Sequence, residues 1–314
     1  MSARRVLVTG GGGFIGSNLV RALLDQGDHV RVLDNFSTGS RKNLAALLDD
    51  IEVVEGDLRS YERVHTAVRG VETVFHQGAL GSVPRSVQDP LTSTAVNVEG
   101  TLNVLLAARD AGVSRVVAAS SSSVYGDGGT FPREESQAPN PISPYAVAKL
   151  AAERFCVSFF RVYGLETVAL RYFNVFGPRQ DPTSQYAAVV PLFVHAVKEG
   201  RPITIFGDGT QSRDFTYVEN VVAANLAAAT AADASGTVLN IATGGSETVN
   251  TLADTVGRLL GLPVERVHAP LRPGDVERSW ADVSLARTRI GYEPRIGFEE
   301  GLRLTIAHLA DEED

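Results

Sequence analysis

Tyr145 and Lys149 stand four residues apart behind Ser143-Pro144, a spacing that puts a phenol and an ammonium on one face of a helix. Ser143 reads as the N-cap and Pro144 as the first helical residue. The chain has three lysines, Lys42, Lys149 and Lys198, against 26 arginines, so a Tyr-x-x-x-Lys spacing would arise by chance in roughly 0.08 chains of this composition. An adjacent ammonium is expected to lower the tyrosine pKa and make the phenol a usable base near neutral pH. The bland alternative is a solvent-facing pair. Ser120-Ser-Ser-Ser123 follows a β-branched run directly, and a hydroxyl at the carboxyl end of a strand could hydrogen-bond a reacting oxygen.

Gly10-x-x-Gly13-x-x-Gly16 lies between a short apolar run and a helix start. In that context glycines let the backbone approach a pyrophosphate, whose charge is met by the N–H groups of the helix N-terminus. Asp34 closes the next apolar run, where its carboxylate would accept from ribose hydroxyls and repel a 2′-phosphate, so NAD is favoured over NADP. Asp57-Leu58, after a third such run, is a candidate for holding adenine.

These groups need a scaffold. Arg5–Thr9, His29–Leu33, Glu52–Val54, Thr73–Phe75, Arg115–Ala118 and Thr167–Leu170 are short β-branched runs separated by helix-length segments. That alternation predicts an α/β fold, a doubly wound parallel Rossmann sheet buried on both faces. Gly27 and Gly112 are expected as left-handed residues closing two helices. Residues 94–111 and 144–163 are expected as helices flanking the cofactor, and a further helix is expected over Ala281–Ile290. Past residue 173 the rhythm loosens, with Gly/Pro clusters at Gly177-Pro178, Gly207-Asp-Gly209 and Arg272-Pro-Gly274. Residues 1–173 therefore read as the dinucleotide domain, with returning segments near 211–242. Residues 174–314 read mainly as a smaller lobe closing over the carboxyl edge of the sheet, where ligands of such folds bind.

A net charge of −8 argues against a nucleic-acid surface. No apolar run is long enough to span a bilayer, so no membrane association is expected. Met1 leads almost at once into a strand, leaving no room for a signal peptide, and Cys156 is the only cysteine; a cytoplasmic location is the expectation. His29, His65, His76, His195, His268 and His308 lack metal-ligand spacing, so no metal is expected.

The combined motifs resemble the extended short-chain dehydrogenase/reductase family, the nucleotide-sugar epimerases and dehydratases. Besides the glycine run, Asp57-Leu58 and Tyr145-x-x-x-Lys149, the matching residues are Asn97 with Gly100-Thr101, Ser121-x-x-Val-Tyr-Gly126, Arg171-Tyr-Phe-Asn174-Val-Phe-Gly177-Pro178, Arg213-Asp-Phe215 and Arg272-Pro-Gly-Asp275. The resemblance implies Ser121, Tyr145 and Lys149 as the catalytic triad. It also places Phe14, Ile15, Asn35, Ser37, Thr38, Gly39, Gln77, Gly78, Ala79, Asn97, Ser120, Tyr172 and Phe173 about the NAD. A UDP-sugar would meet Gly81, Ser82, Ser122, Ser123, Asn174, Ala188, Val189, Arg213, Arg272, Asp275 and Ser279, the arginines facing the diphosphate.

Family dehydratases carry Asp-Glu after the catalytic hydroxyl and decarboxylases a glutamate; this chain has Ser122 and Ser123, which implies a plain 4-epimerase. Leu80-Gly-Ser-Val-Pro-Arg-Ser86, Arg179-Gln-Asp-Pro182 and Tyr186-Ala-Ala-Val-Val-Pro191 resemble bacterial UDP-N-acetylglucosamine 4-epimerases most. The serine at 279, where the family has tyrosine in enzymes that exclude N-acetylated sugars, points the same way. The alternatives are a UDP-glucose or UDP-glucuronate 4-epimerase, a dehydratase with displaced acids, or a dinucleotide-binding protein without chemistry. The family also implies a homodimer paired through the two flanking helices.

Overall fold

Valine and leucine at successive positions make the strands, because a parallel sheet covered on both faces must be apolar at odd and even residues alike. Val6, Leu7 and Val8 are all fully buried, as are Val74 and Phe75, Val116 and Val117. The computed structural model describes residues 3–181, 188–271 and 276–311. Six strands alternate with helices through the first half: β1 (Arg5–Thr9), β2 (His29–Asp34), β3 (Ile51–Glu55), β4 (Thr73–His76), β5 (Arg115–Ser121) and β6 (Glu166–Tyr172). Short strands follow: β7 (Val175–Phe176), β8 (Ile203–Phe206), β9 (Ser212–Arg213), β10 (Thr216–Tyr217), β11 (Thr237–Ile241), β12 (Glu247–Thr248), β13 (Arg266–Ala269) and β14 (Arg278–Ser279).

The main sheet has seven strands in the order β11-β6-β5-β4-β1-β2-β3. All its pairings are parallel. Winding reverses between β1 and β4, and such a reversal opens a crevice beyond the carboxyl ends of the strands. The helices are α1 (Phe14–Asp25), α2 (Tyr61–Val68), α3 (Val83–Gln88), α4 (Pro90–Thr94), α5 (Gly100–Asp110), α6 (Pro144–Tyr163), α7 (Val189–Lys198), α8 (Val218–Thr230), α9 (Val249–Leu260), α10 (Ser284–Ile290) and α11 (Phe298–Asp311). Side chains alternate across the sheet: Val6 and Val8 pack towards Leu19 and Leu23 of α1 and Val221 of α8, whereas Leu7 joins Val64 of α2, Val104 of α5 and Phe159 of α6.

Gly27 and Gly112 take φ values of 80° and 69° just past their helices, as expected. The helix expected over 94–111 is composite, with the π-helical turn Ala95–Glu99 between α4 and α5. The last expected helix begins later, at Ser284, because Arg278–Ser279 pairs as a strand and Ala281 bridges to Arg133. From the later half, β11 extends the main sheet beside β6, while β12, β9 and β14 form a sheet of their own. Phe193, Ile203, Leu252 and Val256 of this smaller lobe belong to the same buried cluster as Val6 and Val8, so lobe and sheet share one core.

Candidate active site

At the end of β1, Gly10 turns the chain with φ 69°, and a Cβ there would lie 2.6 Å from the Gly78 backbone. At Gly16 a Cβ would lie 2.1 Å from the Gly10 carbonyl oxygen, so the turn closes only without side chains. Gly13 caps α1 and no side chain caps it in turn, which leaves the N-terminal pole of the helix directed at the cleft. Asp34 is 8% exposed; its Oδ2 accepts from the Gly12 amide and its Oδ1 from the Phe36 amide, each at 2.8 Å. A carboxylate has about four acceptor sites, so Asp34 retains capacity for two ribose hydroxyls. The glycine cradle, the uncapped helix and Asp34 fit an adenine dinucleotide without a 2′-phosphate.

Asp57 binds Arg59 through Oδ1 at 2.9 Å and Oδ2 at 2.7 Å and accepts from Asn35. The Arg59 hydrogen bond holds its carboxyl down to about 2. Tyr172 donates to Gln77 at 3.1 Å, and burial pushes its phenol up to about 12. Asn97 departs from expectation. Its amide accepts from the Leu80 amide at 2.8 Å and donates to the Leu80 carbonyl at 3.1 Å, so it shapes the wall from behind instead of lining it. Phe173 likewise is fully buried, its amide bonded to Ile241, and is absent from the lining.

Ser143 accepts from the Ala146 amide at 3.2 Å and Pro144 opens α6. Lys149 donates from Nζ to the Ala119 carbonyl at 2.9 Å, and burial lowers its ammonium to about 8. Burial raises the Tyr145 phenol, and the Ser121 hydroxyl works against that rise. The lowering expected from Lys149 is not found in the protein itself: desolvation raises the phenol, the Ser121 hydroxyl alone opposes it, and the ammonium is held by a backbone carbonyl. Ser121 Oγ accepts from the Ser123 amide at 3.2 Å and from its hydroxyl at 2.9 Å, capping the turn Ser122–Tyr125. The Ser120 hydroxyl points instead to Glu153, at 2.9 Å.

Tyr145, Lys149, Ser121, Ser122, Ser123 and the glycine turn all line one cleft of about 790 Å³. Phe14, Ile15, Asn35, Ser37, Thr38, Gly39, Leu58, Gln77, Ala79 and Ser120 line it as well. So do Gly81, Asn174, Ala188, Arg213 and Ser279. Arg213 and Ser279 face each other across the β9–β14 pair. Ser82 is a helix cap, accepting from the Arg85 amide at 3.2 Å, and Val189 begins α7; neither lines the cleft. Arg272, Asp275, Pro182 and Tyr186 lie outside the described residues.

Arg59, Arg133 and Arg278 also line the cleft and escaped sequence reasoning. Arg59 had a local signal, two residues after Asp57. Arg133 had none: it lies over Phe131 at 4.4 Å, donates to the Gly126 carbonyl at 3.2 Å and is 4% exposed. No group of three or more His, Cys, Asp or Glu able to hold a metal occurs among the described residues. None of their helices is long and apolar enough to cross a membrane.

The family described as NAD dependent epimerase/dehydratase matches residues 6–242. A UDP-glucose 4-epimerase of Mycolicibacterium smegmatis is 39% identical over 311 residues, covering 96% of this chain and 97% of the relative. Among solved structures, a UDP-glucose 4-epimerase of Thermus thermophilus in complex with NAD is 40% identical, with TM-score 0.90, over 98% of this chain and 99% of that one. A UDP-N-acetylglucosamine 4-epimerase of Methanobrevibacter ruminantium in complex with UDP-N-acetylmuramic acid is 39% identical, with TM-score 0.94, over 99% and 100% of the two chains.

Proposed function

Because this chain belongs to the NAD dependent epimerase/dehydratase family, we propose that it is an NAD-dependent UDP-sugar 4-epimerase and that it interconverts UDP-N-acetylglucosamine and UDP-N-acetylgalactosamine. One observation carries the reading: a half-buried Tyr145, with Ser121 acting on its phenol, shares a single cleft with the glycine–Asp34 cradle and with Arg213 and Ser279. NAD, when bound, supplies a reversible acceptor for the hydrogen at sugar carbon 4. Tyr145 takes the proton of the 4-hydroxyl and returns it to the carbon-4 oxygen after the keto sugar has turned its other face to the cofactor site, so that the configuration at carbon 4 is inverted. Ser121 hydrogen-bonds the same oxygen, and Lys149 adds positive charge beside the phenol. Asn174 and Arg213 hold the nucleotide diphosphate through both half-reactions, so only the sugar is free to rotate.

Ser122 and Ser123 carry no carboxyl, which disfavours an elimination that needs an acid and a base. Because serine is small, Ser279 on the cleft wall beside Arg213 is expected to admit a 2-acetamido group. Two copies of the chain are further expected to pair through the composite helix over 94–111 and α6, on which Val147 is 53% exposed. The deciding experiment assays the purified protein against UDP-N-acetylglucosamine, UDP-glucose and UDP-glucuronate. The expected result is fastest turnover of the acetylated sugar. Turnover of UDP-glucose or UDP-glucuronate alone would overturn the substrate assignment, and turnover of none would overturn the activity.

A further inference from the structure

The face of α6 that carries Tyr145 and Lys149 has a third polar member at the same four-residue step, Glu153. All three engage the carboxyl end of β5. Ser121 acts on the Tyr145 phenol, Lys149 donates to the Ala119 carbonyl at 2.9 Å, and Glu153 Oε2 accepts from the Ser120 hydroxyl at 2.9 Å. Glu153 also accepts from Nε and Nη2 of Arg171 at 2.8 and 2.7 Å, the two side chains being 0% and 1% exposed. Arg171 stands opposite Ser120 in the β5–β6 register. Its guanidinium lies 4.7 Å from the ring centre of Tyr125, the last residue of the turn that Ser121 caps.

An ion pair wholly removed from water adds little net stability, and an apolar pair could fill the same volume. What the ions add is direction. Two parallel bonds from a planar guanidinium leave a carboxylate one orientation, and the third bond transmits that orientation to Ser120. The residue after Ser120 is the one whose hydroxyl reaches the base.

We propose that Glu153 is a positioning residue for the proton transfer: the chain Arg171–Glu153–Ser120 locks α6 to the end of β5 and so holds Ser121 within reach of Tyr145. The inference rests on the reading of Tyr145 as the base. The other titratable or charged groups about this face are His76, Lys149, Cys156, Arg171, Tyr125 and Arg154, whose guanidinium lies 3.9 Å from Glu153 Oε1, with Glu135 acting on Arg171 and Tyr125. Burial keeps His76 and Cys156 neutral, with pKa values about 3 and about 12, and each has a further electrostatic contribution from Lys149.

Two variants test it. Ser120→Ala removes one bond and leaves the ion pair, whereas Glu153→Asp keeps the charge and withdraws the carboxylate by one methylene. In both, kcat per NAD-loaded protein should fall at least ~5-fold with KM nearly unchanged, because the reacting groups lose alignment while the substrate grip persists. A loosened Ser121 also stops opposing the rise of the phenol, so the acid limb of kcat should move to higher pH by about half a unit or more. Nuclear magnetic resonance of ring-labelled tyrosine, with Tyr145→Phe assigning the signal, reads the same shift without turnover. Wild-type kcat and an unmoved Tyr145 titration in both variants, with only a lower melting temperature in Glu153→Asp, would overturn the proposal. Failure of the wild type to turn over any UDP-sugar bears on the proposed function instead, and the tyrosine titration still decides the positioning role.

Discussion

In the proposed reaction Tyr145 is the group that moves the proton; burial raises its phenol and only a hydrogen bond from Ser121 offsets this. Tyr145→Phe keeps the packing and removes the proton carrier, so turnover should drop by about 100-fold or more while the fold and bound NAD persist. Comparing kcat with NAD content and circular dichroism checks this, and unchanged turnover would move the chemistry elsewhere. Under the proposed substrate assignment selectivity would rest on Ser279, whose partner across the strand pair is Arg213. Ser279→Tyr should depress turnover of N-acetylated sugars at least about 10-fold and largely spare UDP-glucose and UDP-galactose, because a steric block discriminates by size. Equal loss on both pairs would point to disturbance of Arg213. Residue types and spacings singled out Tyr145, Lys149, Ser121 and Asp34, and the fold brings all four to one cleft. They could not reveal that Asn97 spends its amide on Leu80, since which way a polar side chain faces depends on neighbours distant in the chain.

Between elements, a buried histidine ties β1, β4 and α5 together. The Gly78 amide donates to Thr9 Oγ1 at 3.2 Å, Thr9 meets His76 Nδ1 at 2.7 Å, and His76 Nε2 meets Thr101 Oγ1 at 2.9 Å. Thr101 donates onward to the Asn97 carbonyl at 2.7 Å, so the consistent arrangement has a neutral imidazole protonated at Nε2. Burial, with the Lys149 charge, lowers the His76 pKa from 6.5 to about 3. The unfolded chain therefore binds more protons between those values, and the contribution of this site to stability is full above about 6.5 and is lost as pH falls towards 3. Denaturant unfolding should show the wild type losing roughly 2–3 kcal/mol through His76 between about pH 7 and pH 4.5. His76→Asn, less stable at neutral pH, should lose correspondingly less over that interval; equal slopes for the two proteins would refute the assignment. The strands were readable as runs because burial on both faces leaves a continuous apolar signature. The π-turn at Ala95–Glu99 was not, because hydrogen-bond slippage within a helix changes no residue type.

Taken whole, the main sheet and the later half of the chain share one core, and under the proposed function an epimerase that recovers its hydrogen each cycle gains nothing by releasing the cofactor. NAD should accordingly survive purification and be liberated by denaturation. Recovery of NADP, or activity that consumes added cofactor, would count against the reading of Asp34. The alternation of strands and helices, the Gly10–Gly16 turn and the shared helix face of Tyr145 and Lys149 were set by local sequence, because apolar period, turn glycines and helix caps act over a few residues. Long-range pairing decided the rest. Ser279 reached the cleft as part of a strand beside Arg213, Arg133 reached it from a loop bridged to Ala281, and Glu153 became the link between Arg171 and Ser120. None of these juxtapositions has a local signal, because each joins segments of chain that come together only when two strands, or a strand and a helix, dock in one register.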